Sequence, residues 1–152
     1  YWPYAHDVQA AERADQEKFS RYSDLMAASQ GFVVQEILSA YDFRAHTCVL
    51  DVGAGKARFA SELAMHAPHL QLKLFDLPPV LQLADAHIQS MGLSERMQLH
   101  PGSFLHDPLP KGADVVTLLR VAHDHPDDVV KKLLVKIHAA LEIGGTLWIL
   151  LW

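Results

Sequence analysis

Two glycines follow a short apolar run in the stretch VLDVGAGKARF, residues 49–59. This pattern predicts a strand that turns sharply into a helix, with a loop whose backbone a ligand can approach closely. Nucleotide-binding proteins use such a turn, but their loops usually carry a third glycine, which is missing here. An ordinary strand-to-helix turn is therefore the alternative interpretation of the loop.

The position of the missing glycine separates two classes of cofactor site. A dinucleotide fingerprint, G-x-G-x-x-G, needs its third glycine where Arg58 stands, and arginine is a poor substitute at a close helix–strand contact. A methyltransferase loop, D-x-G-x-G-x-G, needs it where Ala57 stands, which is only one methyl group larger. Asp51 also fits this second pattern, since an acid there can reach the ammonium group of a methionine moiety. The loop favours S-adenosylmethionine over NAD, and an NAD-dependent oxidoreductase is the second hypothesis.

A second acid follows the loop at the spacing of the next strand. Asp76 lies 23 residues beyond Gly53 and directly after the alternating stretch LQLKLF. A carboxylate at the end of that strand can accept hydrogen bonds from ribose hydroxyls. The residue could also cap the helix that follows Pro78 and Pro79, and the two roles are compatible.

His123 is the candidate general base. It follows the apolar run ADVVTLLRV, and a neutral imidazole can take a proton from a hydroxyl group as that group attacks a methyl group. A polar residue at a strand end is the alternative interpretation. His123 and His125 also form an H-x-H pair, but no cysteine or third ligand stands nearby in the sequence, so we predict no metal site.

The elements that position these residues alternate along the chain. After residue 46 the predicted order is strand, helix, strand, helix, strand, strand, helix, strand. Gly144 and Gly145 predict the end of the last helix, and the chain stops inside or just after the fifth strand. This order predicts an α/β fold, a Rossmann-like, doubly wound and mostly parallel sheet that is incomplete at its C-terminus. The candidate residues then share the carboxyl edge of the sheet. Residues 1–20 are predicted to be a linker, and residues 21–152 one domain that begins with an amphipathic helical segment.

Composition excludes several classes of function. The chain has 152 residues, of which 50% are hydrophobic, and a formal net charge of -5 without a basic stripe, which disfavours nucleic acid as a partner. No apolar stretch has the length of a membrane span, and the first residues do not resemble a signal peptide. The lone Cys48 cannot form an internal disulfide. We therefore expect a cytoplasmic protein.

Three stretches together resemble a known family. VLDVGAG, LFDLPPV and RVAHDHPDD follow one another as in class I small-molecule O-methyltransferases of the acetylserotonin and caffeate type. The resemblance covers about residues 22–150, and it is greatest to the bacterial carotenoid branch, the demethylspheroidene or hydroxyneurosporene O-methyltransferases. It implies the class I methyltransferase fold, S-adenosylmethionine as cofactor and a small-molecule hydroxyl group as acceptor, with a hydroxylated carotenoid as one candidate.

The resemblance also implies roles for individual residues. Those assigned to the cofactor are Tyr22, Asp51, Gly53, Gly55, Asp76, Ser103, Phe104 and Arg120. Gly53 and Gly55 would line its methionine end, Asp76 would hold the ribose, and Ser103 and Phe104 would flank the adenine. His123 would be the base, and Met26 would border the substrate.

The chain departs from the family pattern at three positions. Ala57 replaces the third glycine, Ser103 stands where relatives usually have aspartate, and His125 replaces the usual tryptophan. Relatives also carry an N-terminal helical dimerisation domain and further elements after the fifth strand, which implies a homodimer for the full-length protein. These departures keep a third hypothesis open, a catalytically silent module for cofactor binding or dimerisation.

Overall fold

Five parallel strands form one sheet in the computed structural model, which describes residue 31 and residues 33–151. The strands are β1 (Cys48–Val52), β2 (Gln71–Asp76), β3 (Met97–Pro101), β4 (Ala113–Leu119) and β5 (Leu141–Leu150). The predicted linker, Tyr22 and Met26 lie outside the described residues.

The order of the strands in the sheet is β3-β2-β1-β4-β5. The chain moves outward from β1 to β3 and then returns to the other side of β1, so the winding direction reverses between β1 and β4. Ligands of open α/β sheets bind in the crevice beside the carboxyl ends of the strands at such a reversal. The Rossmann-like, doubly wound sheet is confirmed.

Helices cover both faces of the sheet. They are α1 (residues 33–40), α2 (Arg58–His66), α3 (Pro78–Ser90) and α4 (Asp127–Ala140). The first three pack with one set of strand side chains, among them Val49, whereas α4 packs with the alternate set, among them Leu50. This alternation explains why β1 is apolar except at Asp51, since both of its faces are buried. Cys48 is buried on the α4 face, as its apolar neighbours suggested.

The boundary between α4 and β5 differs from the sequence expectation. The glycines at 144 and 145 predicted the end of the helix, but α4 ends at Ala140 and β5 begins at Leu141. The pairing of β5 with β4 shifts its register across this stretch, and Gly144 has a φ of 83°. The glycines therefore permit an irregularity inside the strand rather than a helix terminus.

Candidate functional site

The loops after β1 and β3 are both tied to the end of β2. The Gly53 amide donates to the Phe75 carbonyl at 2.8 Å, and the Gly102 amide donates to the Asp76 carbonyl at 2.9 Å. These bonds continue the parallel pairing by one residue beyond the strands. The segments that carry the candidate residues thus form one continuous edge of the sheet.

The glycine-rich loop uses left-handed backbone conformations. Gly53 has a φ of 77°, and a Cβ atom built there would lie 2.4 Å from Cγ2 of Val121, so only glycine lets the loop pack against the segment after β4. Gly55 has a φ of 56°, but a Cβ atom there would meet nothing within 4 Å. The loop is therefore closed against the protein at Gly53 and open towards solvent at Gly55.

Ala57 is the third residue of this loop with a left-handed backbone. Its φ of 60° and ψ of 25° place it at the N-cap of α2, and its side chain is fully buried. The family pattern has glycine at this position, which adopts such a conformation without strain. The left-handed backbone at position 57 therefore accounts for the glycine of the family pattern. Ala57 adopts the same conformation in this chain.

Asp76 connects the loop to β2 through its side chain. One carboxylate oxygen accepts from the Gly55 amide at 2.8 Å, and the other accepts from the Leu77 amide at 2.7 Å. Burial raises the pKa of Asp76 to about 6, although both amide donors act in the opposite direction. The helix-capping alternative is not what the structure shows, since Leu77 occupies the N-cap of α3.

Asp51 lies beneath the loop rather than on its surface. It is 5% exposed, and the Thr117 hydroxyl on β4 donates to its carboxylate at 2.6 Å. Burial raises the pKa of Asp51 to about 7, and the negative charge of Asp76 adds to the increase. The contact with an ammonium group stays a prediction for this residue.

The loop after β3 forms a closed turn. The Ser103 hydroxyl accepts from the Leu105 amide at 3.3 Å, so this side chain is used within the turn. The Ser103 amide donates at 2.8 Å to the carboxylate of Asp107. Phe104 is half-buried, and its ring meets that of His125 edge to face with the centroids 5.0 Å apart. The turn after β3 thus contacts the segment after β4 through two aromatic rings.

His123 lies on a single 3₁₀ turn, Ala122–Asp124, directly after β4. Its side chain is 38% exposed, and its Nε2 atom lies 3.6 Å from a carboxylate oxygen of Asp124. Arg120, just before this turn, has a φ of 60°, and its amide donates to the Leu150 carbonyl at 2.7 Å. The chain therefore bends sharply where β4 ends, and the imidazole is accessible from solvent at the same edge as the loops.

The structure brings together most of the residues that the sequence singled out, and it adds two that the sequence did not. Thr117 holds the buried Asp51 carboxylate, and Lys136 on α4 donates to the carbonyls of Phe104 at 2.7 Å and Asp107 at 2.9 Å. Neither residue stands in a motif, and each lies dozens of positions from its partner. Among residue 31 and residues 33–151, no group of three His, Cys, Asp or Glu side chains is arranged to hold a metal ion.

A comparison with known families now decides the assignment. A family model described as an O-methyltransferase domain matches residues 1–151. The chain belongs to this family. The O-methyltransferase domain carries the glycine loop, Asp76 and His123 in the places just described, and none of its described helices is long and apolar enough to cross a membrane.

Curated relatives agree with this assignment. Demethylspheroidene O-methyltransferase of Rhodobacter capsulatus is 47% identical over 147 residues, which are 97% of this chain and 35% of that protein. Acetylserotonin O-methyltransferase of Rattus norvegicus is 34% identical over 73% of this chain and 26% of that protein. The chain spans about a third of the length of the curated relatives it matches.

Solved structures share the same fold. The mitomycin 7-O-methyltransferase MmcR matches with a TM-score of 0.86 at 26% identity, over 97% of this chain and 41% of that one. The O-methyltransferase NcsB1 from neocarzinostatin biosynthesis, solved with S-adenosylmethionine and 2-hydroxy-5-methyl naphthoic acid, matches with a TM-score of 0.84 at 30% identity. This match covers 89% of this chain and 41% of NcsB1. These likenesses identify the sheet of the O-methyltransferase domain as that of a methyltransferase.

Proposed function

We propose that this O-methyltransferase domain binds S-adenosylmethionine and belongs to an enzyme that methylates a hydroxyl group of a small molecule. The observation that carries the proposal is the junction of Asp76 with the Gly55 amide. It places a carboxylate, which can accept hydrogen bonds from ribose hydroxyls, beside a loop with open space above Gly55. Family membership and neighbours solved with S-adenosylmethionine support the same cofactor.

The residues at the sheet edge fit the parts of this cofactor. The space above Gly55 admits the close approach of the methionine end, and Asp76 carries two carboxylate oxygens with further acceptor capacity. The Phe104 amide donates no hydrogen bond to another described residue, so it can bind a ring nitrogen of adenine. Asp51 lies beneath the same loop, and an ammonium group bound above it would favour the ionised form of this carboxylate.

His123 would act on the acceptor rather than on the cofactor. The cofactor supplies a methyl group on a positively charged sulfur, which a hydroxyl oxygen can attack. The accessible imidazole nitrogen of His123 can take the proton of that hydroxyl as the new carbon–oxygen bond forms. The carboxylate of Asp124 lies 3.6 Å from Nε2, within ion-pair distance of the imidazolium that results. The domain contributes most of the acceleration by holding both reactants together in the crevice.

A hydroxylated carotenoid is the acceptor class that we propose. The identity of 47% to demethylspheroidene O-methyltransferase over nearly the whole chain supports it. The chain covers 35% of that relative, and the acceptor class rests on this likeness. We also propose that the full-length protein is cytoplasmic, as its composition predicts, and a homodimer, as the family resemblance implies.

An NAD-dependent oxidoreductase is less compatible with the loop. Arg58, where the dinucleotide pattern needs glycine, is the first residue of α2, and its guanidinium lies 3.2 Å from the Glu62 carboxylate. In the dinucleotide pattern a glycine at this position allows the helix to pack closely on the strand. Arg58 instead has a partly exposed side chain that forms an ion pair with Glu62.

Calorimetric titrations of the wild-type protein with S-adenosylhomocysteine and with NAD test the proposal. We expect binding of the first ligand only. The Asp76→Asn variant should bind it at least about tenfold more weakly, because a charge-assisted acceptor for the ribose is lost. Asp128→Asn, a change at an exposed carboxylate on α4, is the control and should bind normally. Binding of NAD alone would refute the proposal.

A further inference from the structure

The turn that follows β3 is held from outside as well as from within. Inside the turn, the Ser103 carbonyl accepts from the amides of His106 at 3.0 Å and Asp107 at 2.7 Å. The Asp107 carboxylate accepts a hydrogen bond from the Ser103 amide. This segment, residues 103–107, is called the β3 turn below. Its backbone still presents carbonyl groups to α4.

Lys136 of α4 binds two of those carbonyls. Its ammonium group donates to Phe104 at 2.7 Å and to Asp107 at 2.9 Å, although the residues are 32 and 29 positions apart in sequence. The side chain is half-buried, whereas Lys131 and Lys132 on the same helix are exposed. Among the described residues, its partners are these backbone carbonyls and not a carboxylate. The lysine therefore orders backbone, and its charge strengthens both bonds.

The position of the β3 turn connects it with one end of the cofactor. Asp76 closes β2, and β3 is the next strand outward, joined to Asp76 through the Gly102 amide. A base attached to a ribose held by Asp76 must extend either back over the glycine loop or outward over the β3 turn. The methionine end occupies the glycine loop, so the base meets the β3 turn.

Phe104 supplies the one backbone amide of the β3 turn that the turn itself does not use. Its amide has no acceptor among the described residues, and its carbonyl is fixed by Lys136. The Phe104 amide shares its peptide plane with the Ser103 carbonyl, which the amides of His106 and Asp107 hold. Lys136 holds the next peptide plane through the Phe104 carbonyl, so the backbone is fixed on both sides of the Phe104 Cα atom. The Phe104 ring is restrained separately by its edge-to-face contact with His125.

We propose that Lys136 is a positioning residue for the adenine end of the cofactor. It keeps the β3 turn in the conformation that binds the base, so that less conformational freedom is lost when the cofactor binds. Lys136 touches neither the cofactor nor the acceptor and acts through Phe104. The inference rests on the proposed function, since it presumes that the ligand carries adenine.

Three variants of the whole protein test this role. Lys136→Met keeps most of the aliphatic stem and removes the donors, Lys136→Arg restores two donors, and Lys132→Met is the matched control one turn earlier on α4. We expect Lys136→Met to raise the Kd for S-adenosylhomocysteine about tenfold, because two charge-assisted bonds no longer order the turn. Lys136→Arg should stay within about threefold of wild type and Lys132→Met within about twofold.

Two further readouts separate positioning from a general structural role. Lys136→Met should weaken the binding of adenosine alone by the same factor as the binding of S-adenosylhomocysteine. In methyl transfer, the same variant should raise the KM for the cofactor and leave kcat unchanged. Hydrogen exchange should accelerate at the amides of the β3 turn and not in α2.

The outcomes distinguish the two proposals. If the wild-type protein does not bind S-adenosylhomocysteine, the proposed function fails. If the wild-type protein binds it and Lys136→Met binds it equally well, the role of Lys136 is wrong. Should the Met variant not fold, Lys136→Gln decides the matter, since an affinity equal to wild type in that variant also overturns the role.

Discussion

The Asp76 carboxylate accepts a hydrogen bond from the Gly55 amide at 2.8 Å, which joins the end of β2 to the glycine loop after β1. Its other oxygen accepts from the Leu77 amide at the start of α3. One side chain thus fixes the loop after β1, the start of α3 and the local charge between them. Burial raises its pKa to about 6, so it titrates close to neutral pH.

Binding of S-adenosylhomocysteine should weaken as the pH falls through about 6. Ribose hydroxyls donate to the ionised carboxylate of Asp76, so the ligand favours the charged form and lowers the pKa of this residue. Binding below that pH must therefore release a proton. Calorimetry at pH 5.5 in two buffers of different ionisation enthalpy measures the release. Asp76→Asn should abolish this dependence, and an equal pH dependence in the variant would show that another group is responsible.

The buried Asp51 should make the ligand-free protein less stable as the pH rises. Its folded pKa of about 7 lies above the value of an unfolded aspartate, so the unfolded chain loses its proton first. Stability is therefore lost as the pH rises from about 4 to about 7. The unfolding free energy of Asp51→Asn minus that of wild type should therefore increase by roughly 2 kcal/mol from pH 5 to pH 8. Urea denaturation at the two pH values measures this difference.

Asp114 provides a control with the opposite sign. Burial acts to raise its pKa, but amides of Thr47 and Cys48 and the Thr47 hydroxyl donate to the carboxylate and outweigh it, so the pKa is lowered. The stability that Asp114 contributes is present above the pKa of an unfolded aspartate and is lost at lower pH. The stability deficit of Asp114→Asn should therefore shrink on acidification below about pH 4. The same trend in the Asp51 and Asp114 variants would contradict the pKa assignments.

Local sequence patterns predicted the strands, the helices and the sheet edge because each depends on nearby residues. The apolar run over β1 and the spacing of Asp76 from Gly53 sufficed to place both at the carboxyl ends of neighbouring strands. Likewise, the alternation of strands and helices predicted the doubly wound sheet. The boundary at residues 141–145 was wrong because pairing with β4 determined it, and glycine is compatible with a helix end and with a strand bulge alike.

Contacts between distant segments were not predictable from the sequence. Thr117 meets Asp51 only because β1 and β4 are neighbours in the sheet, and 66 positions separate the two residues. Lys136 could have been one more solvated lysine of an amphipathic helix, like Lys132. Only the docking of α4 beside the β3 turn gives it two carbonyl partners.

Replacement of Ala57 by glycine should be tolerated. Alanine at a φ of 60° is strained by roughly 1–2 kcal/mol, whereas glycine is not. Loss of the buried methyl group and the greater freedom of glycine in the unfolded chain offset most of this gain. We expect the unfolding free energy to stay within about 1 kcal/mol of wild type. Ala64→Gly, a buried position inside α2, should instead cost about 2 kcal/mol, and chemical denaturation of both variants tests the contrast.

Affinity is a second readout for the same position. With the loop backbone unchanged, Ala57→Gly should bind S-adenosylhomocysteine as tightly as wild type or slightly more tightly. A loss of stability equal to that of Ala64→Gly would mean that position 57 already has a regular helical backbone.

Replacement of His123 by glutamine tests the proposed base. Glutamine keeps a polar side chain on the turn after β4, but its amide cannot take the proton of an acceptor hydroxyl. In the whole protein, methyl transfer should slow by roughly 10²–10⁴, the usual scale for loss of a general base. Affinity for S-adenosylhomocysteine should stay within about twofold of wild type, since His123 is assigned to the acceptor. His125→Gln is the control. Because the His125 ring contacts Phe104, this variant should change the affinity for the cofactor more than the methyl-transfer rate at saturating substrate. A near-normal rate in His123→Gln would leave proximity in the crevice, or an acid outside these residues, to account for the reaction.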